Sequence, residues 1–263
     1  MRRTFGVARL LLASLGMVSL VGYFIVILGV SGFAIGSFFS YFTVQSGMAA
    51  VGVFVASGLI ALKRPTDPAW LDTLRVMVTT YILVSGVVYA IIVLQSANAN
   101  YSITVPWSSQ LLHFWIPAVA LVDWFVDPNK ARLPWRYLGW VLVFPVFWLI
   151  FTLIRGNMIG WYPYFFLDSR QVSGPGETLL YCAIVVVIIL GIAALLTSAT
   201  RLRRRPVNGT SRRPFRHRLP VELIRHEPAA NTESAAPTAG EPAGVAAPGR
   251  FVGPLAPAVA TRR

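Results

Sequence analysis

Charge is scarce in this chain. Only 13% of its 263 residues are Asp, Glu, Lys or Arg, about half the share of a soluble domain. The hydrophobic fraction is 56% and the mean hydropathy +0.64, which excludes an ordinary soluble globular fold. Cysteine is nearly missing: Cys182 stands alone, so there is no disulfide framework and no cysteine metal cluster. The sequence has no HExxH, no Walker loop and no GxGxxG. Metalloprotease and nucleotide chemistry therefore lack support, and neither a metal nor a cofactor is expected. The net charge of +13 would suit nucleic acid. Residues 201–263 alone carry 12 basic and 4 acidic side chains, however, and so +8 of the excess. Arginines clustered just beyond an apolar run are drawn to anionic lipid headgroups, by about 1 kcal/mol each near the surface. Headgroups, not nucleic acid, are the expected partner of that segment.

Long apolar runs are what the chain does have. Six of them, near 8–31, 40–62, 74–95, 108–126, 137–154 and 177–199, approach or exceed the ~20 residues that cross a hydrocarbon core. The expected fold is an all-α, polytopic membrane helical bundle of six transmembrane helices over residues 1–200. A basic cytoplasmic tail, residues 201–263, follows. The tail is rich in Pro, Ala, Gly and Arg, with no apolar run beyond "LPVELI"; it buries too little to offset ordering and is read as disordered. Arg2 and Arg3 before "TF" resemble a twin-arginine export signal. The first run is longer than a signal h-region and five more spans follow it, so it is read as helix one.

Lys and Arg alternate from loop to loop. They stand before span one (Arg2, Arg3, Arg9), between spans two and three (Lys63, Arg64, Arg75), between four and five (Lys130, Arg132, Arg136), and after six (Arg201, Arg203, Arg204, Arg205). Of the intervening loops, only the fifth has any, Arg155 and Arg170. Both termini are thus expected in the cytoplasm, with the protein in the plasma membrane. The sequons "NYS" at 100–102 and "NGT" at 208–210 are too weak to carry an argument.

Ionisable groups inside spans point to function by default. His113, in "LLHFWIP", is the clearest, with Pro117 removing a backbone hydrogen bond to its carbonyl and Gln110 one turn away. Thr43, in "FFSYFTVQSGMAA", opens span two. At ~1.5 Å rise per residue, Thr43 lies roughly 5 Å below the start of span two and His113 roughly 7 Å below the start of span four. A hydroxyl and an imidazole at one level can act as nucleophile and base if the two helices face each other. Small residues at such spacing also serve close helix packing, as for Thr43, Ser46 and Gly47 on one face and Gly52 and Ala56 on another. Asp123 and Asp127, with Trp124, mark the other end of span four. "GVSG" at 29–32 has the GxSG form of rhomboid proteases. Rhomboids carry that serine on helix four and the histidine on helix six, whereas Ser31 ends span one and the membrane histidine is on span four.

The order of an "FT" opening span two, a histidine on span four with a proline shortly after, and the aromatic "WYPYFFLD" after span five resembles the androgen-induced-gene and androgen-dependent TFPI-regulating protein family of multispan membrane hydrolases. It resembles bacterial, actinobacterial-type integral membrane relatives in the same way. The resemblance covers residues 10–199. It implies hydrolysis of fatty acid esters by a membrane-embedded threonine and histidine, carried over to Thr43 and His113. It departs from the animal proteins in the "VQSGMAA" that follows Thr43 and in the tail. Candidate substrate-binding residues are Gln45, Ser46 and Gln110, as oxyanion donors, and Arg155, Tyr162 and Tyr164, which would admit an acyl-ester lipid and hold its head. Two other readings stay open: a small-molecule or lipid transporter, and a non-catalytic scaffold whose tail recruits partners.

Overall fold

The computed structural model describes residues 2–29, 34–98 and 105–202, all within the compact unit Met1–Val207. Ser31, the sequon at 100–102 and most of the tail, with the sequon at 208–210, lie outside the described residues. The described chain is all-helical, and six helices are long and apolar enough to cross a membrane. They are α1 (Arg2–Leu28), α2 (Phe42–Lys63), α3 (Ala69–Asn98), α4 (Trp107–Val126), α5 (Val143–Ile159) and α6 (Pro175–Leu202). Short helical turns at Ile35–Phe38, Tyr137–Trp140 and Phe165–Leu167 lie in the connections.

Several boundaries run past the apolar stretches expected from sequence, α5 reaching Ile159 rather than 154 among them, and the two largest at helix starts add charge. α1 starts at Arg2 rather than residue 8, and α3 at Ala69 rather than 74. Both additions bring charged residues into helices, Arg2 and Arg3 in α1 and Asp72 in α3, and Arg2 and Asp72 are paired: Arg2 Nη1 donates to Asp67 at 3.2 Å and Arg75 donates to Asp72 at 3.1 Å. Arg9 and Arg75 are each 1% exposed. Arg9 meets Asp67 at 3.3 Å, Asp123 at 3.1 Å and also Asp127; Arg75 meets Asp72 at 3.1 Å, Asp123 at 2.7 Å and Asp127 at 2.8 Å. Asp72 also accepts the Ala131 amide at 2.8 Å. This ionic knot fastens α1, α3 and α4 to the connections 64–68 and 127–131 at one end of the bundle. Asp123 and Asp127, read as marking this end of span four, therefore belong to the knot. Asp127 sits just beyond α4. Burial pushes its carboxyl up, but Arg75, the Asn129 amide and Arg9 outweigh that and bring it down to about 2.

α1 and α2 approach closely through glycine. A Cβ on Gly58 would crowd Leu10 and the Gly6 carbonyl, and one on Gly47 would lie 3.3 Å from Leu20. Small residues permit this backbone approach where lipid offers no hydrophobic drive. Gly52, expected to pack in the same way, faces open space. α5 is the least embedded helix, burying only Thr152 and Gly156. It is tethered by Trp148, whose indole N–H donates to the Ser40 carbonyl at 3.0 Å. α5 ends at Gly160, whose φ of 68° is the left-handed cap that glycine supplies. Arg155 thus lies within α5, whereas the sequence reading opens the loop there. In the α5–α6 connection, Phe166 and Leu167 are buried, and Arg170 holds Asp168 at 2.8 Å.

Candidate active site

α2 begins where Tyr41, in extended conformation, caps it without a side-chain bond. Thr43 is the second residue of this helix and is 7% exposed. α4 is not a plain α-helix: Leu111–Trp115 forms a π turn between Trp107–Gln110 and Ile116–Val126. Pro117 has no N–H for the His113 carbonyl, and single π turns of this kind mark functional positions in many helices. The turn directs His113, 4% exposed, at α2. Its Nε2 lies 3.2 Å from Thr43 Oγ1.

Hydrogen-bond polarity follows from a single acceptor. His113 Nδ1 is 2.9 Å from the Ser109 carbonyl oxygen, which can only accept, so Nδ1 carries the proton and donates. In the neutral ring Nε2 is then an acceptor, and the Thr43 hydroxyl donates to it. The remaining lone pairs of Thr43 Oγ1 face Ser85 Oγ at 2.7 Å, and Ser85 is the donor in that pair. The chain Ser85–Thr43–His113–Ser109 thus has one direction throughout.

α3 supplies the site's third wall. Tyr89 stacks on the His113 ring at 3.9 Å with the planes 15° apart. One turn earlier, Gly86 lies directly under the His113 carbonyl, where any Cβ would overlap the oxygen. Ser85, Gly86, Tyr89 and Ser109 are the site residues that the sequence reading missed. The one signal for them is the small and polar "SG" at 85–86, with a tyrosine one turn on, inside an apolar run.

Thr43, Ser85 and His113 open into a cavity of about 250 Å³, walled otherwise by apolar side chains of α3, α5 and α6 and by Tyr164. Tyr164 lines the same cavity as Thr43; burial pushes its hydroxyl pKa up to about 12, against the opposite pull of the Thr43 side chain and the Phe42 and Thr43 amides, which keeps it protonated.

Of the residues named from sequence, Thr43, His113 and Tyr164 therefore come together. The others do not. Gln45 donates to the Phe39 carbonyl at 2.8 Å, and Gln110 to the Val105 carbonyl at 3.1 Å. Gln110 is exposed although His113 is buried, because the wider π turn shifts the helix phase between them. Ser46 is turned toward α1, bonded to the Thr43 carbonyl at 3.2 Å beside a void of about 10 Å³. Arg155 donates to Ser37 Oγ at 3.2 Å and stacks over Trp161. Tyr162 packs on Gly156, where a Cβ would overlap its ring. Among the described residues, no three His, Cys, Asp or Glu side chains group to hold a metal ion. No family model, no curated protein and no solved structure matches the chain.

Proposed function

We propose that this protein is a membrane-embedded hydrolase of lipid esters, with Thr43 as nucleophile and His113 as general acid and base. One observation carries the reading: a threonine hydroxyl 3.2 Å from the free nitrogen of a tautomer-fixed histidine, at the wall of an apolar cavity. The family resemblance in the sequence points the same way.

In this reading the Thr43 proton passes to His113 Nε2 as Oγ1 bonds to the ester carbonyl carbon. Collapse of the tetrahedral species breaks the bond to the leaving alkoxide, which takes the proton from Nε2. Water then enters and gives a proton to Nε2 as its oxygen bonds to the acyl carbon; the bond to Thr43 Oγ1 breaks, Oγ1 takes the proton back from Nε2, and the acid is released. Developing negative charge on the carbonyl oxygen needs donors in place beforehand. Ser85 and the Tyr164 hydroxyl are the groups at hand. By the Lys and Arg bias, the termini lie in the cytoplasm of a plasma membrane and the site lies beneath the outer leaflet.

A fluorophosphonate probe on the purified, folded protein tests the reading. Mass spectrometry is expected to find the adduct on Thr43 and to lose it in His113→Ala. A folded wild type that stays unlabelled and cleaves no fatty acid ester refutes it.

A further inference from the structure

The cavity has a second face, away from the Thr43–His113 pair. Its walls there are Val146 and Leu149 of α5 and Val185 and Val186 of α6. Val146 is 47% exposed and Val186 37% exposed. A side chain that both lines a cavity and is exposed lies at its mouth, and these two lie on opposite sides of the gap between α5 and α6. Both helices are among the six of membrane-spanning length, and both present apolar side chains outward, such as Phe147 at 69% and Leu179 at 69%. The mouth therefore faces the medium that covers those side chains.

At the other end, Arg155 stacks on Trp161 and bonds Ser37, Tyr162 is seated on Gly156, and Arg170 holds Asp168 at 2.8 Å and also the Gly160 carbonyl at 2.6 Å. The α5–α6 connection is pinned over the cavity rather than lifted from it.

We infer that the slot between α5 and α6 is a lateral binding site for one alkyl chain taken directly from the membrane, seated with its carbonyl at Thr43 and its chain between Val146 and Val186. The slot follows from exposure and cavity shape. That the ligand carries a carbonyl rests on the hydrolase reading. A chain moving from lipid into an apolar cavity exchanges one hydrocarbon environment for another, so the ester group alone must leave the headgroup layer. Val146 and Val186 become the residues that set which chains pass. An unbranched chain fits a cleft between two helices better than a bulky or polar one.

The test reads binding, not cleavage. The full-length protein in lipid nanodiscs is irradiated with a long-chain fatty acid methyl ester bearing a mid-chain diazirine. Label is expected on Val88 and Ile92, which line the cavity on α3, and is expected to be lost from them in Val146→Trp/Val186→Trp while outward Phe147 and Leu179 stay labelled. Unchanged label on Val88 and Ile92 in that variant overturns the inference, as does wild type labelled only on its outer surface. A second measurement needs no variant. Cys182, the chain's single cysteine, lines the cavity on α6; a charged, water-confined maleimide is expected to leave it unmodified in the folded protein and to alkylate it after denaturation. Reaction at the same rate in the folded protein marks an aqueous entrance and overturns the slot. A labelled cavity without ester cleavage removes the hydrolase reading alone, and cleavage without cavity label removes the slot alone.

Discussion

The carbonyl oxygen of His113 occupies the space that the Cβ of any residue other than glycine at position 86 would need. Proline 117 withholds the N–H that would otherwise satisfy that carbonyl, and α3 approaches it through its one residue without a side chain. Gly86→Ala is therefore expected to push α4 away from α3, destabilise the fold by about 1–3 kcal/mol, and lengthen the contact between His113 and Thr43. Fluorophosphonate labelling of Thr43 measured beside the melting temperature checks it; labelling at the wild-type rate would mean the helix shifts without moving the imidazole.

Ser85 donates toward the Thr43 oxygen at 2.7 Å. On acyl transfer that oxygen becomes part of an ester, and the Ser85 proton is free to turn to the neighbouring oxyanion. Ser85→Ala should lower kcat by about 10²-fold with little change in KM, the loss typical of one such donor. A rise in KM at constant kcat would instead assign Ser85 to ground-state binding.

Truncating one partner in a buried ion network strands the others. Arg75→Ala leaves Asp72, Asp123 and Asp127 without one of their cations, and a loss of about 3–5 kcal/mol is expected. Unfolding in detergent, followed by tryptophan fluorescence, gives the number; a loss below about 1 kcal/mol would put the knot in the class of solvated surface pairs.

Asp127 gives the knot a pH dependence of known sign. Its folded value of about 2 lies below the ordinary 3.8, so its contribution is fully present above the unfolded value and disappears as pH falls through about 4 toward about 2. Melting temperatures across that window should drop in wild type and show a shallower drop in Asp127→Asn. Parallel curves for the two proteins would assign the acid loss to other carboxylates.

The six spans and the shared level of Thr43 and His113 are legible in the sequence, since helical rise is fixed and only one histidine lies in an apolar run. The helix ends at Arg2 and Ala69 are not. Hydropathy ends a span at a charge, whereas Arg2 is paired with Asp67, 65 positions away, and Asp72 with Arg75 and the Ala131 amide. Gln110 is misplaced by ideal helical phase, which the π turn breaks. Ser85, Gly86 and Tyr89 escape notice because their importance comes from which helix lies opposite, a tertiary fact. Gln45 and Arg155 look functional as isolated polar groups, but each is satisfied elsewhere, Gln45 by the nearby Phe39 carbonyl and Arg155 by Ser37, 118 positions away.

Arg9 is separated from Asp123 by 114 positions and from Asp127 by 118. A ribosome therefore delivers the first helix long before it delivers two of the aspartates that neutralise it. Asp67, 58 positions on, is the first of its partners to follow; until it and then α4 emerge, a guanidinium placed within a hydrocarbon layer costs as much as about 3 kcal/mol on insertion scales. The nascent first helix has reason to wait at the translocon or the interface, so that completion of the fourth helix times its final seating during biogenesis.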